Sequence, residues 1–103
     1  MAEQRPAIYD LVPKLGDLRD NVLFGDVWEQ TDLSKRDRSL ITITALIAMY
    51  RTGELPGHLR RALANGVTKE EISGVITHMA FYAGWPTAAQ AVRIAKEVFD
   101  ETP

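Results

Sequence analysis

From Leu40 to Tyr50 the chain is apolar or small at nearly every position, with none of the two-residue alternation that a half-buried strand requires. Wound at 3.6 residues per turn, Leu40, Ile41, Ile43, Ala45, Leu46, Ile47 and Met49 point in every direction. A helix that is apolar on all sides belongs at the centre of a bundle, so this run predicts an all-helical protein built around it. Thr42 and Thr44 do not disturb that reading, because their hydroxyls can bond back to carbonyls of their own helix. Ser34 offers a capping oxygen at the start, and Asp37 adds first-turn negative charge.

The rest of the chain is punctuated in the same helical manner. Residues Ala7 to Leu18 and Val22 to Gln30 read as two short helical pieces, with Pro13 and Gly16 expected to bend or break the first. Gly53 ends the central helix, and Pro56 suits the first turn of the next. Leu55, Leu59, Ala62 and Leu63 then share a face, and Gly66 fits the left-handed residue that follows a helix end. Thr68 and Glu71 form a T-x-x-E capping box ahead of Ile72, Val75, Ile76, Met79 and Ala83. Gly84-Trp85-Pro86 breaks the chain before a last helix with Ala88, Ala91, Val92, Ala95 and Phe99 facing inward. The expectation is an all-α, compact bundle of five or six short helices in a single domain, 1–103.

Composition narrows the function classes. The formal net charge is −2, with acidic and basic residues interspersed, so the basic stripe of a nucleic-acid binder is missing. Cysteine is absent, which removes disulfides, thiolate metal sites and thiol catalysis. The Leu40 to Tyr50 run is far short of the roughly 20 residues that cross a bilayer, and MAEQRPAIYD lacks the basic start and apolar core of a secretory leader. A cytoplasmic, non-membrane protein is expected. Hydrophobic residues make up 46% of a chain that can bury only about two thirds of its unfolded surface, so apolar area is left for a partner chain.

Several blocks together carry a family resemblance. They are F-G-D-V-W (Phe24 to Trp28), L-S-K-R-D-R-S-L-I-T (Leu33 to Thr42), G-E-L-P-G-H-L (Gly53 to Leu59), A-L-A-N-G-V-T-K-E-E-I (Ala62 to Ile72) and Y-A-G-W-P (Tyr82 to Pro86). In order and spacing they resemble the carboxymuconolactone decarboxylase family. The resemblance implies an alkylhydroperoxidase-D-like fold and a homo-oligomer, a hexamer built as a trimer of dimers. It also implies decarboxylation of 4-carboxymuconolactone or a related small lactone or carboxylic acid in aromatic-compound degradation, with no metal or organic cofactor. The chain starts too late to hold the N-terminal V-L-G-D-like block of the typical decarboxylase, and Phe24 stands where that pattern has tryptophan. That departure leaves the substrate open and keeps a second reading in play, a non-catalytic or ligand-binding oligomer on the same scaffold. The C-x-x-C-x-x-x-H motif of the peroxidase branch falls on Arg51, Glu54 and His58, so its thiol chemistry has no residues to act through.

Losing CO2 from a lactone leaves an electron pair that must be stabilised and then protonated. Such a site needs a cation for carboxylate or lactone oxygen and an acid for the proton. His58 is the first candidate acid, because imidazole titrates near neutrality. Glu54, four residues earlier, shares a helical face with it and can orient the ring; a surface Glu–His pair is the alternative. Arg38 is the candidate cation, needing a carboxylate from a substrate or from Glu54, Asp26 or Asp37. The candidates for substrate binding are Arg51, Trp28, His78 and Tyr82. His78 beside Val75, Ile76 and Met79 equally fits a packed side chain, and Trp28, Phe24 and Trp85 equally fit core or interface anchors. His58 and His78 lie on different helices outside any H-x-x-x-H pattern, so no metal site is expected. Arg60 and Arg61 read as a solvated face.

Overall fold

The computed structural model describes residues 5–101; Met1 to Gln4, the start of the segment inspected for a leader, lie outside them. All regular structure among the described residues is helical, as expected. The chain forms two compact units that meet in sequence at Ser34 and Lys35.

The first unit is a string of short turns. A 3-10 turn at Ala7–Asp10 leads to α1 (Pro13–Leu18), which runs into a π-helical segment at Arg19–Phe24 and a 3-10 turn at Val27–Glu29. The break expected around Pro13 falls just before it. Val12 is non-helical, and Pro13 opens α1, where its missing N–H costs nothing. Gly16 is buried, and a β-carbon there would come within 2.9 Å of both Arg5 Cζ and Tyr9 Cβ.

The second unit consists of α2 (Lys35–Ala48), α3 (Leu55–Ala64), α4 (Lys69–Tyr82) and α5 (Trp85–Glu101). α2 packs on α3 and α4, while α5 packs on α3 and α4. Their shared core contains Ile43 and Ile47 of α2, Leu55 and Leu59 of α3, Ile72 and Ile76 of α4, and Ile94 and Val98 of α5. Local signals explain the boundaries. Thr68 Oγ1 accepts the Glu71 N–H at 3.0 Å, and the Glu71 carboxylate accepts the Thr68 N–H at 2.9 Å, closing the capping box. Arg36 of α2 pairs with that same Glu71, tying the start of α2 to the start of α4.

Two sequence readings change. α2 is not surrounded on all sides within its unit: Ser39, Ile43 and Ile47, spaced by four, are buried, whereas Ile41, Ala45 and Met49 on the opposite face are exposed. A 14-residue helix packed against α3, α4 and the edge of α5 covers one face only, and uniform composition could not say which. On α5 the inward face is turned toward Ile94 and Val98, leaving Val92 exposed. Thr42 and Thr44 do bond back, to the Arg38 and Leu40 carbonyls at 2.7 and 2.8 Å.

Candidate functional site

The connection between α2 and α3 carries three of the sequence candidates in eight residues. α2 ends on Tyr50, whose backbone is left-handed (φ 57°), and the Arg51 N–H reaches back to the Leu46 carbonyl at 2.8 Å. The Arg51 carbonyl then accepts the Leu55 N–H at 3.2 Å, and the Glu54 carbonyl accepts the His58 N–H at 3.3 Å. Glu54 thus precedes α3 in helical conformation, and Pro56 sits in the first turn where it is tolerated. Arg51 and Glu54 are exposed, and His58 is half-buried.

Helical geometry extends this group along α3. At 100° per residue, Glu54, His58, Arg61 and Asn65 fall within an arc of about 60°, forming one polar stripe. Leu55, Leu59 and Ala62 occupy the neighbouring face and hold the helix in the core. The stripe meets α2 at its far end, where Asn65 Nδ2 donates to the buried Ser39 Oγ at 2.9 Å. Arg38 adjoins Ser39, so it lies at the Asn65 end of the hairpin. Seven residues of α3, about 10 Å of helical rise, separate that level from His58. The backbone therefore sets Arg51, Glu54 and His58 on two successive turns leading into α3, with Arg38 about two turns farther along the same hairpin. Of the carboxylates considered for Arg38, Asp37 lies 3.3 Å from Arg36 Nη1, and Asp26 accepts from Gln30 Nε2 at 2.6 Å.

The remaining candidates are elsewhere. His78 and Tyr82 sit one turn apart on the outer face of α4, with stacked rings 4.4 Å between centroids. His78 is exposed, not packed against the apolar stripe of its helix, because positions 75, 76 and 79 turn inward while 78 and 82 turn out. Trp28 belongs to the first unit, where it is buried with its ring 5.7 Å from that of Phe24. Trp85 is exposed and meets Phe81 edge-on at 6.2 Å.

Arg60 and Arg61 part company. Arg60 faces outward in a two-pronged pair with Glu101, at 2.8 and 2.9 Å. Arg61 is half-buried, and burial pulls its guanidinium below the usual arginine value. The sequence reading of a solvated face holds for Arg60 only. Its i+3 spacing from His58 was a signal for Arg61, but charge adjacent to charge masked it. Tyr50 was missed for another reason: nothing in its residue type announces a left-handed backbone.

A half-buried imidazole, a carboxylate one turn before it and guanidinium groups on both sides suit an anionic substrate that must be protonated. Residues 13–97 match the family model described as Carboxymuconolactone decarboxylase family. The chain belongs to this family. It is 44% identical over 78 residues to the 4-carboxymuconolactone decarboxylase of Acinetobacter baylyi, covering 76% of this chain and 58% of that protein. It is 33% identical over 78 residues to the nitrosuccinic acid decarboxylase of Metarhizium robertsii, again 76% of this chain and 54% of that protein. An uncharacterized 15.0 kDa protein of Paracoccus denitrificans is 33% identical over 97 residues, 92% of this chain and 72% of its own length. The chain thus spans a little over half the length of the two family members named as decarboxylases. None of the 103 residues is a cysteine, so none of them can supply a thiolate. No described helix is long and apolar enough to cross a membrane.

Proposed function

We propose that the protein is a carboxy-lyase that decarboxylates 4-carboxymuconolactone or a related small lactone or carboxylic acid, without metal or organic cofactor, in the cytoplasm. The single observation that carries this is the placement of Arg51, Glu54 and His58 on the two successive turns that lead into α3, in a chain of this family. Arg51 holds the departing carboxylate at the His58 end, and Arg38, farther along the hairpin, is placed for a second anionic group. The bond from the substrate carbon to the carboxylate breaks, CO2 leaves, and the electron pair is delocalised onto the conjugated lactone or acid carbonyl. The His58 imidazolium then returns a proton to carbon, with Glu54, one turn earlier, orienting the ring. Nitro and lactone carbonyl groups are both electron sinks beside a carboxylate, so the two named decarboxylases share that substrate logic.

Incubation with 4-carboxymuconolactone, following substrate absorbance and CO2 release, tests the reading. Turnover that falls about 100-fold or more in His58→Ala, with melting little changed, supports it. A His58→Ala variant with unchanged turnover would remove His58 from the reaction. Folded protein that leaves this substrate untouched would favour the ligand-binding alternative.

The working form we propose is a homo-oligomer, a trimer of dimers. Support comes from apolar surface that the described chain leaves in water: Ile41 and Met49 on α2, and Phe81, Tyr82 and Trp85 at the α4–α5 corner. Sedimentation as a monomer at micromolar concentration would refute it.

A further inference from the structure

The ends of α2 and α3 close with the same hydrogen-bond pattern but different residues. After α3, Gly66 is left-handed (φ 99°) and its N–H bonds the Leu63 carbonyl at 3.2 Å, while the Val67 N–H bonds the Ala62 carbonyl at 2.9 Å. Val67 is buried in the core, so glycine relieves the backbone and valine anchors the exit. After α2, Tyr50 takes the glycine position with φ 57°. Its N–H bonds the Ile47 carbonyl at 3.0 Å, and the Arg51 N–H bonds the Leu46 carbonyl at 2.8 Å. A β-carbon is sterically opposed in this conformation, and a bulky side chain there is an outlier. Packing does not offset the opposition, since Tyr50 is 57% exposed and the following residue is an exposed arginine, not a core anchor.

A residue held in a glycine's backbone conformation, with its ring outside the core, points to a role for the ring itself. That ring projects from the turn whose next residues are Arg51, Glu54 and His58. We propose that Tyr50 is a substrate-binding residue, its ring face lying against the unsaturated part of a small lactone or carboxylic acid and its hydroxyl donating to a substrate oxygen. This rests on the lyase reading. Arg51 takes the carboxylate and Tyr50 the adjoining planar group, so the strained backbone buys selectivity for planar acids over saturated ones.

The test compares Tyr50→Gly and Tyr50→Phe with the wild type in melting, sedimentation and steady-state kinetics on 4-carboxymuconolactone. A titration with fumarate, a planar unsaturated dicarboxylate, followed on the Tyr50 ring resonances, is run alongside. Tyr50→Gly should melt several degrees higher, because the left-handed strain is relieved. Its KM should rise about tenfold with kcat within about threefold, and Tyr50→Phe should fall between it and the wild type. An active wild type whose KM does not move in Tyr50→Gly would overturn the inference and leave the lyase reading standing. So would a lower melting point or a smaller assembly in Tyr50→Gly, which would make the ring a packing or subunit contact. A wild type that neither turns over the lactone nor binds fumarate would overturn both. An inactive wild type that binds fumarate through the Tyr50 ring, with affinity lost in Tyr50→Gly, would remove the chemistry and keep the assignment.

Discussion

In the helices after Ser34, Ile43, Leu59 and Ile72 are wholly shut off from water and four elements share one core. Between Arg5 and Ser34 only Gly16 and Trp28 are buried, while Ile8, Leu11, Leu15 and Leu23 stand in solvent. What orders the earlier segment is charge. Arg5 bridges Asp17 and Asp20, at 3.0 and 2.7 Å, and the Arg19 guanidinium lies over the rings of Tyr9 and Phe24, at 5.8 and 4.9 Å. Exposed ion pairs contribute little in water and less in salt, whereas each fully buried aliphatic side chain contributes about 1.5–3 kcal/mol. The second unit thus has an aliphatic core of its own, while ion pairs and ring contacts are prominent among the described contacts of the first. The proposed site residues Arg51, Glu54 and His58 are mounted on the second unit.

The largest test of this contrast is Leu59→Ala, which should cost about 2–5 kcal/mol by denaturant unfolding because it opens a cavity beneath His58. Leu11→Ala, in the open segment, should stay within about 0.5 kcal/mol. Comparable losses from the two would end the comparison.

Next in size is the capping box. Thr68→Ala removes the acceptor for the Glu71 N–H and should cost about 1 kcal/mol, read from thermal unfolding. A loss that also frees the start of α2 in hydrogen exchange would sharpen the role of the Arg36–Glu71 pair in joining the two helix starts.

A smaller, pH-linked effect belongs to the first unit. Hydrogen bonding from Arg5 holds the Asp20 carboxyl below its usual value. A lowered folded-state value means the unfolded chain takes up the proton first. The stabilisation is therefore complete above the ordinary carboxylate range and drains away as pH falls through the lowered value. Glu71, held down by the Thr68 N–H and Arg36, and Glu101, held down by Arg60, follow the same sign in the second unit. Protection factors at Ala7–Phe24 should fall on acidification, while those of the Ile43 and Leu59 amides are kept by the core. Simultaneous loss in both units would contradict the division.

The smallest effect is salt. Raising ionic strength to about 1 M shortens the screening length to about 3 Å, so exchange at Ala7–Phe24 should rise and the core helices should not respond. Protection of Arg5–Phe24 that ignores salt would mean that something other than charge holds the segment.

The sequence made the second unit legible because its signals are local. Pro56, Gly66, the Thr68–Glu71 box and Gly84 each act within a turn, and each falls at a boundary of α3, α4 or α5. What stayed hidden depends on neighbours. The direction of burial in Leu40 to Tyr50, the swap of Val92 for Ile94 and Val98, and the half burial of Arg61 are set by which helices lie alongside. For the site, four-residue spacing placed Glu54 and His58 on one face and His78 beside Tyr82, whose rings stack. It could not report that His58 is half-buried while His78 stands exposed. Placing Arg38 required the Ser39–Asn65 bond, a contact between residues 26 apart.

The aromatic inventory leaves the molecule with two unlike lamps. The indole of Trp28 is 8% exposed and that of Trp85 is 68% exposed, and they stand in different units, one beside Phe24 and the other beside Phe81. Emission should therefore be a sum of a sheltered, blue component from Trp28 and a wet, red one that a soluble quencher reaches at Trp85. Loosening of the early segment should move the first without touching the second. Covering of the α4–α5 corner should do the reverse, so a single cuvette without labels can follow both events.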